Sequence, residues 1–449
     1  MVVTSFNRVA ISELGLSAAL ISFIIGVYTL FGPLQPVIGR MCERWPLFRY
    51  RRTPYMLLGT LLGGLAFPFM PGVLLDMQAG DPLAYVWCLL LFCAFGICIA
   101  MQANVFLDLL NDVTTENRRS KIVTTVWTAQ ALAMAGWAWV FALIMPVYSH
   151  EQMQFLYGLS PFVMLGIAFL GLVGLETRLT PEAAAEIRRN PPKPVRLLEP
   201  MKESLVTLGR SRNALAFFFF IVFSLLAMFL QDILQEIWAG DLFGQAAGEA
   251  TVWQRIYNGM QCVGMAAAGI YTGIAFKKRK AAKAAAGEDV GAEKMLPMDK
   301  GKRLLAVGVC LTVVSFLLLA WASYVKDLRL FYVFYFFSAW AIGFTAFPSI
   351  SFMADMTVPG QESKYLGLWS LAQVIGLFLS FTVSGSLYSL LVESGWLASN
   401  MAFAAIFVLQ AAMIIVCWVA IRGVTLEGLQ SDAAGLSRAG GGELQAEPR

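Results

Sequence analysis

The residues able to do chemistry in this chain are the few polar ones set inside long apolar runs. Gln102, Asn104, Asp108, Asn111 and Asp112 fall in the stretch QANVFLDLLND. At 100° per residue, the last four lie within about 100° of one helix face. Amides and carboxylates inside an apolar span are costly unless paired, so each is a candidate site residue. Asp108 and Asp112 lie near the end of the run. There, a ligand contact and a pairing with Arg118, Arg119 or Lys121 stand as alternatives. Gln102 and Asn104 lie deeper, as do Gln130 and Gln373. Gln231, Asp232, Gln235 and Glu236 form two i,i+4 pairs, and Arg8 and Glu13 suit a pair near an interface. Function and interfacial solvation both explain these outer-end groups. A third group is RMCERWPLFRYRR at 40–52, with five arginines. Arg40, Glu43 and Arg52 suit a gating latch, because a charge-assisted bond there must break whenever helices rock. Arg49 and Arg51 suit an anchor, each basic residue being drawn to anionic lipid by about 1 kcal/mol.

The elements that must hold these residues follow from composition. Hydrophobic residues make up 58% of the 449, charged ones 14%, and mean hydropathy is +0.67. That is more apolar side chain than a soluble core can hide, so the chain reads as an all-α polytopic membrane protein. Runs long enough to span a bilayer fall at 14–39, 54–75, 84–109, 122–147, 154–175, 213–235, 254–276, 303–324, 330–353, 365–391 and 401–421. No cleavable signal peptide precedes them. MVVTSFNRVA reads as the last third of one more helix, so the first helix is expected to be incomplete, with in-frame coding sequence upstream. Of 33 Lys and Arg residues, 29 fall in alternate loops on one side; only Arg8, Arg255, Lys326 and Arg329 fall on the other. The positive-inside rule makes the first side, and the C-terminus, cytoplasmic. Basic residues scattered over loops argue against a nucleic-acid partner and for a lipid one. Of the seven cysteines, six lie in apolar spans and Cys42 in a loop, with no disulfide or metal-ligand spacing.

An internal repeat sets the organisation. NDVTTENRRSKIVTTVWTAQ and ADMTVPGQESKYLGLWSLAQ align without gaps, sharing Asp112/Asp355, Thr114/Thr357, Ser120/Ser363, Lys121/Lys364, Ala129/Ala372 and Gln130/Gln373. Both copies sit between the fourth and fifth of six helices in their halves, once the incomplete helix is included. Asp112 and Asp355 thereby join the latch candidates. Two six-helix halves joined by a long cytoplasmic loop is the plan of the major facilitator superfamily. The expected boundaries are an N-terminal half at 1–176, a connector at 177–212, a C-terminal half at 213–423 and a mobile tail at 424–449. In the connector, Thr180, Pro181 and Glu182 read as a helix start, and Met201, Leu205 and Leu208 as an amphipathic segment on the membrane surface. The Lys/Ala-rich stretch 277–302 lacks an apolar period and reads as a mobile loop. Gly59, Gly63 and Gly64 permit close helix contact, and Pro33, Pro36, Pro146, Pro161 and Pro348 are expected to bend helices.

Three stretches carry a narrower likeness. FNRVAISELG at 6–15, PLFRYRRTPYMLLG at 46–59 and FLQDILQEIWAGDLFG at 229–244 resemble the bacteriochlorophyll delivery family, the PucC-like proteins of photosynthetic bacteria. Where that family commonly has a Ser-Asp pair, this chain has Cys42 and Glu43. The resemblance implies a protein of a photosynthetic (intracytoplasmic or thylakoid) membrane that hands chlorophyll-type pigment to light-harvesting polypeptides, or assembles those antennae, without enzymatic activity. The one histidine, His150, falls in an outer loop, so no imidazole within the membrane is available to a pigment magnesium. A carrier that must release its cargo suits that lack, and no permanently bound cofactor is expected. A transient (bacterio)chlorophyll would use oxygen from Gln102, Asn104, Gln130 or Gln373, with Trp127, Trp137, Trp139, Phe347 and Trp369 as flat surfaces or as interface anchors. Two further readings stand beside this one: a major facilitator transporter of another small solute, and a ligand-free assembly scaffold. An enzyme is least favoured, since no Ser/His/Asp constellation, phosphate loop or metal spacing occurs.

Overall fold

The computed structural model describes residues 5–113, 126, 129–130, 133–134, 136–192, 208–209, 212–286, 298–355 and 362–422. Regular structure among them is helical. We number the α-helices α1 Ala18–Gly26, α2 Leu34–Arg44, α3 Thr53–Ala66, α4 Met70–Gln78, α5 Pro82–Val113, α6 His150–Leu172, α7 Pro181–Arg189, α8 Arg212–Phe229, α9 Gln235–Phe243, α10 Ala247–Ala285, α11 Met298–Val325, α12 Leu328–Asp355, α13 Glu362–Tyr388 and α14 Ser399–Arg422. Nine helical segments among the described residues are long and apolar enough to cross a membrane; α1 and α2, bent by 42°, make up to ten. The expected run at 122–147 is described only in part.

Local chemistry accounts for several boundaries. Pro54 and Pro181 occupy first-turn positions of α3 and α7, where a missing N–H costs nothing. The Thr180 hydroxyl caps α7 by accepting from Ala183 N–H at 3.2 Å. α9 ends on Gly244 at φ 62°. There Gly244 N–H bonds Gly240 C=O at 2.9 Å and Gln245 N–H bonds Ala239 C=O at 3.1 Å, a glycine-terminated helix end.

The run 14–39 bends, as expected of Pro33, where α1 and its 3₁₀ extension Val27–Phe31 meet α2, whose N-cap is Pro33. Three other sequence expectations change. The run 213–235 ends at Phe229 and turns through 230–234 before α9 begins. The basic stretch from Lys277 to Lys283 continues α10 to Ala285 instead of forming a loop, because Ala and Lys are strong helix formers even without an apolar stripe. Pro146 follows a helix end at 144, while Pro161 and Pro348 lie inside α6 and α12. Of the expected surface segment 201–212, only residues 208, 209 and 212 are described.

The chain forms two compact units that do not follow chain order. The first holds Met1–Glu199, Gln231–Val252 and Leu377–Ser394. Within it α3 lies against α5 and α6. A Cβ on Gly63 would come within 3.0 Å of Cys98 Cβ, and one on Gly64 within 3.1 Å of Pro161 Cα, so the glycines set the approach of these helices. Ile38, Tyr55, Met101, Val105, Leu109 and Leu172 close an apolar cluster there.

The second unit holds Pro200–Leu230, Trp253–Gly376 and Gly395–Arg449. Gly264 of α10 faces the Trp340 carbonyl and Gly343 of α12 faces the Gln261 carbonyl so closely that neither position admits a Cβ. Thr312 and Thr345 share a buried hydrogen bond of 2.9 Å between α11 and α12. Gln410 of α14 donates to the Ala227 carbonyl of α8 at 2.8 Å.

Candidate functional site

The turn at 230–234 frees backbone carbonyls inside an apolar setting, where unpaired groups are expensive. Asn7 of the first unit's N-terminal segment bonds one of them, and its neighbour Arg8 bonds a carbonyl inside α9 and another beyond its end. The Asn7 amide donates to Ile233 C=O at 2.6 Å, and Arg8 donates to Glu236 C=O at 3.1 Å and Gln245 C=O at 2.8 Å. Both side chains are buried, with Asn7 0% and Arg8 5% exposed. The planar guanidinium fork suits this bridging in a way that an ammonium does not. Its Nε lies 3.8 Å from Glu13 Oε1, so the two residues come together as a loose pair. The segment Val9–Glu13, which begins just after Arg8 and ends on Glu13, is wound as a π-helix, a form that recurs at functional sites. Gln231, Gln235 and Glu236 are buried, and Gln235 donates to Asp232 at 3.2 Å.

A second set of contacts in the same unit lies at α1 and the π-helical turn Ser389–Glu393 that follows α13. Glu393 Oε1 accepts from Ala18 N–H at 2.8 Å, and Ser389 Oγ accepts from Ala19 N–H at 3.0 Å. The N-cap residue of α1, Ser17, makes no side-chain cap bond, so residues more than 300 positions away do the capping. Tyr388 donates to the Asp241 carboxylate.

The third set surrounds the arginine-rich turn. The Arg52 guanidinium lies 3.6 Å from Asp108 and 3.0 Å from Asp112. Among described residues, Arg52 is thus the cation facing both carboxylates of the α5 stripe. Glu176 accepts from the N–H groups of Arg51 (2.7 Å), Arg52 (3.1 and 3.2 Å) and Thr53 (2.7 Å), placing an anion at the N-terminus of α3, where the helix dipole favours it. Arg40 bonds Glu43 at 2.7 Å, one turn along α2.

The deep amides are placed separately. Gln102 of α5 is half-buried, and its Cγ would lie 3.4 Å from a Cβ on Gly59. Trp369 and Gln373 of α13 are half-buried, and Gln130 is exposed. Asn104 and Asp355 belong to α5 and α12 by backbone, their side chains lying outside the described parts, and Trp127 lies outside the described residues. Among described residues, no three metal-ligating side chains gather. Sequence reasoning missed Glu176, Asp241, Ser389 and Glu393 as partners. Asp241 stands inside one of the three stretches carrying the family likeness.

With nine to ten membrane-long apolar segments among the described residues, the chain is a polytopic membrane protein, and superposition on a solved transporter shows the major facilitator fold. The crystal structure of nucleoside transporter NupG superposes with a TM-score of 0.64 at 14% identity, covering 94% of each chain. The chain belongs to the PUCC protein family, whose pattern matches residues 5–299 and 290–428. It is 26% identical over 279 residues to the bacteriochlorophyll synthase 44.5 kDa chain of Rhodobacter capsulatus, covering 60% of this chain and 61% of that one. It is 24% identical to Protein PucC of Rhodovulum sulfidophilum, over 59% of each chain. The match thus spans about three fifths of these two relatives. The family match and the superposition together show a multi-pass membrane protein of the PUCC family with the major facilitator fold.

Proposed function

We propose that the protein carries a (bacterio)chlorophyll-type pigment to light-harvesting polypeptides in a photosynthetic membrane, with its C-terminus in the cytoplasm. The supporting observation is the family match along nearly the whole chain, together with the spatial pairing of two stretches on which the likeness rests. FNRVAISELG and FLQDILQEIWAGDLFG are bonded to each other through Asn7 and Arg8. The pigment is cargo in this reading, not a resident group, and the protein is a carrier rather than an enzyme. Gln102, Asn104, Gln130 and Gln373 are the oxygen donors we assign to it, Trp127 and Trp369 its flat contacts, and Arg40, Glu43, Arg52, Asp112 and Asp355 the gating charges. An amide oxygen binds magnesium weakly enough for release.

The likeness to a nucleoside transporter favours a second reading, transport of another small solute, and a ligand-free scaffold is the third. The deciding experiment is the visible absorption spectrum of the protein purified in mild detergent from a pigment-synthesising host. Stoichiometric tetrapyrrole absorbance supports delivery. A colourless protein whose deletion leaves antennae intact returns the solute reading, and a colourless protein whose deletion abolishes antennae returns the scaffold.

A further inference from the structure

The turn 45–52 joins α2 to α3 and holds an exposed aromatic tip in a strained backbone. Phe48 and Arg49 adopt φ of 52° and 66°, a left-handed conformation uncommon for any side chain but glycine or asparagine. Phe48 is 79% exposed, and Trp45 is 58% exposed. Such strain persists only where the surroundings over-determine it, and here they do. Leu179 N–H bonds Arg49 C=O at 2.9 Å, Arg178 reaches Phe48 C=O at 3.4 Å, and Tyr55 donates to Trp45 C=O at 2.7 Å. Glu176 ties down the N–H groups of Arg51, Arg52 and Thr53. The fold therefore fixes a phenylalanine outward at a position where a solvated turn would favour a small polar residue.

The rim of this tip is cationic. The Arg44 guanidinium stacks over Trp45 at 5.7 Å, and that of Arg178 over Tyr50 at 5.8 Å. Arg44 Nε and Arg51 Nε are shielded from water with no hydrogen-bond acceptor among the described residues. The neighbouring acids are already committed, Glu43 to Arg40 and Glu176 to backbone N–H groups. The turn runs from the residue after α2 to the residue before α3, both helices belonging to segments long and apolar enough to cross a membrane, and a short turn between two spans lies close to the headgroups.

We propose that this turn is a docking surface for anionic lipid headgroups. Trp45, Leu47 and Phe48 enter the interface, and Arg44, Arg49 and Arg51 meet phosphate. Aromatic residues favour that depth, and an anionic leaflet attracts juxtamembrane cations. Charge favours lipid over a protein partner, because the rim presents cations around an apolar tip with no uncommitted carboxylate.

The test places an environment-sensitive fluorophore on Phe48→Cys, with the exposed Cys262 and Cys310 replaced by Ser, in nanodiscs of phosphatidylcholine alone or mixed with phosphatidylglycerol. The expected result is blue-shifted emission, quenched by brominated acyl chains, that strengthens with the anionic lipid. Each of Arg44→Gln, Arg49→Gln and Arg51→Gln should lower the preference for the anionic mixture by up to about fivefold, and monodisperse elution of each variant shows that it folds. Water-like emission in both lipids overturns the proposal, as does a blue shift indifferent to lipid charge and to the arginines. A shift appearing only when a light-harvesting polypeptide is added also overturns it and makes the tip a protein-docking surface.

Discussion

The Asn7 side chain donates a 2.6 Å hydrogen bond to the carbonyl of Ile233, 226 residues further along the chain. It satisfies a carbonyl of the turn between α8 and α9, while Arg8 ties the start of α9 to the residue beyond its Gly244 end. A sequence that breaks a helix without proline or glycine needs an outside donor, and Asn7 of the NRV segment supplies one.

Removing either donor leaves buried carbonyls short of a partner. Asn7→Ala is expected to cost about 1–3 kcal/mol, and Arg8→Ala more, since it empties two bonds. Arg8→Lys keeps the charge but lacks the fork and should recover only part of the loss. Thermal unfolding in detergent measures all three, and an Arg8→Lys variant as stable as wild type would refute the bridging role.

Glu176 is expected to matter through geometry rather than through a single ion pair. Glu176→Gln removes the charge and retains one acceptor oxygen for three N–H groups, and a loss of about 1–3 kcal/mol follows for charge-assisted bonds to a helix start. The same variant should raise proteolysis at the 45–52 turn, whose strained conformation it helps to hold. Equal protease resistance in both proteins would show the turn to be fixed by its other contacts alone.

Glu393 provides a parallel case at α1. Glu393→Ala removes the cap on Ala18 N–H and should destabilise by about 1 kcal/mol. Hydrogen exchange at residues 18–20 should rise while that at α5 stays unchanged, and unchanged exchange at α1 would mean that water replaces the cap without loss.

These three partners mark the limit of what the sequence discloses. The spans were legible because apolar runs of twenty residues have few other uses, and Thr180–Pro181 or Gly63 announce a cap or a close contact by residue type alone. Glu176, Glu393 and Asp241 belong to no polar stripe, and their roles depend on residues 123 to 375 positions away, which periodicity does not encode. The break at 230–234 was invisible for the same reason, since FLQDILQEI contains no breaker and reads as one helix. The Arg8–Glu13 pair and the α5 stripe were legible in part. The stripe's i,i+4 spacing was plain, but its pairing with Arg52 required the fold.

Arg52 and Asp112 should be energetically coupled. A double-mutant cycle of Arg52→Ala and Asp112→Ala is expected to give a coupling of about 0.5–1 kcal/mol, modest because the Asp112 side chain is about half exposed. Arg52→Ala alone should cost more than Asp112→Ala, because it leaves Asp108 as well as Asp112 without this cation. A zero coupling energy would assign the contact to helix-end solvation.

The last prediction concerns cargo. Gln102 offers an amide oxygen from α5, half-buried beside Gly59, and the chain's single histidine, His150, stands at the start of α6. If pigment magnesium takes an amide oxygen instead of an imidazole, Gln102→Leu removes a donor at nearly constant volume and leaves the apolar contacts in place. Leucine suits a helix in lipid or protein surroundings at least as well as glutamine, so the variant should insert and elute like wild type. Pigment retained after mild purification should fall by about tenfold, the change expected for losing one hydrogen bond or weak oxygen contact of about 1.4 kcal/mol. Gln102→Asn, which shortens the reach but keeps the oxygen, should lie between the two. Equal retention in all three proteins would remove Gln102 from the cargo contacts while leaving the other amides to be tested in the same way.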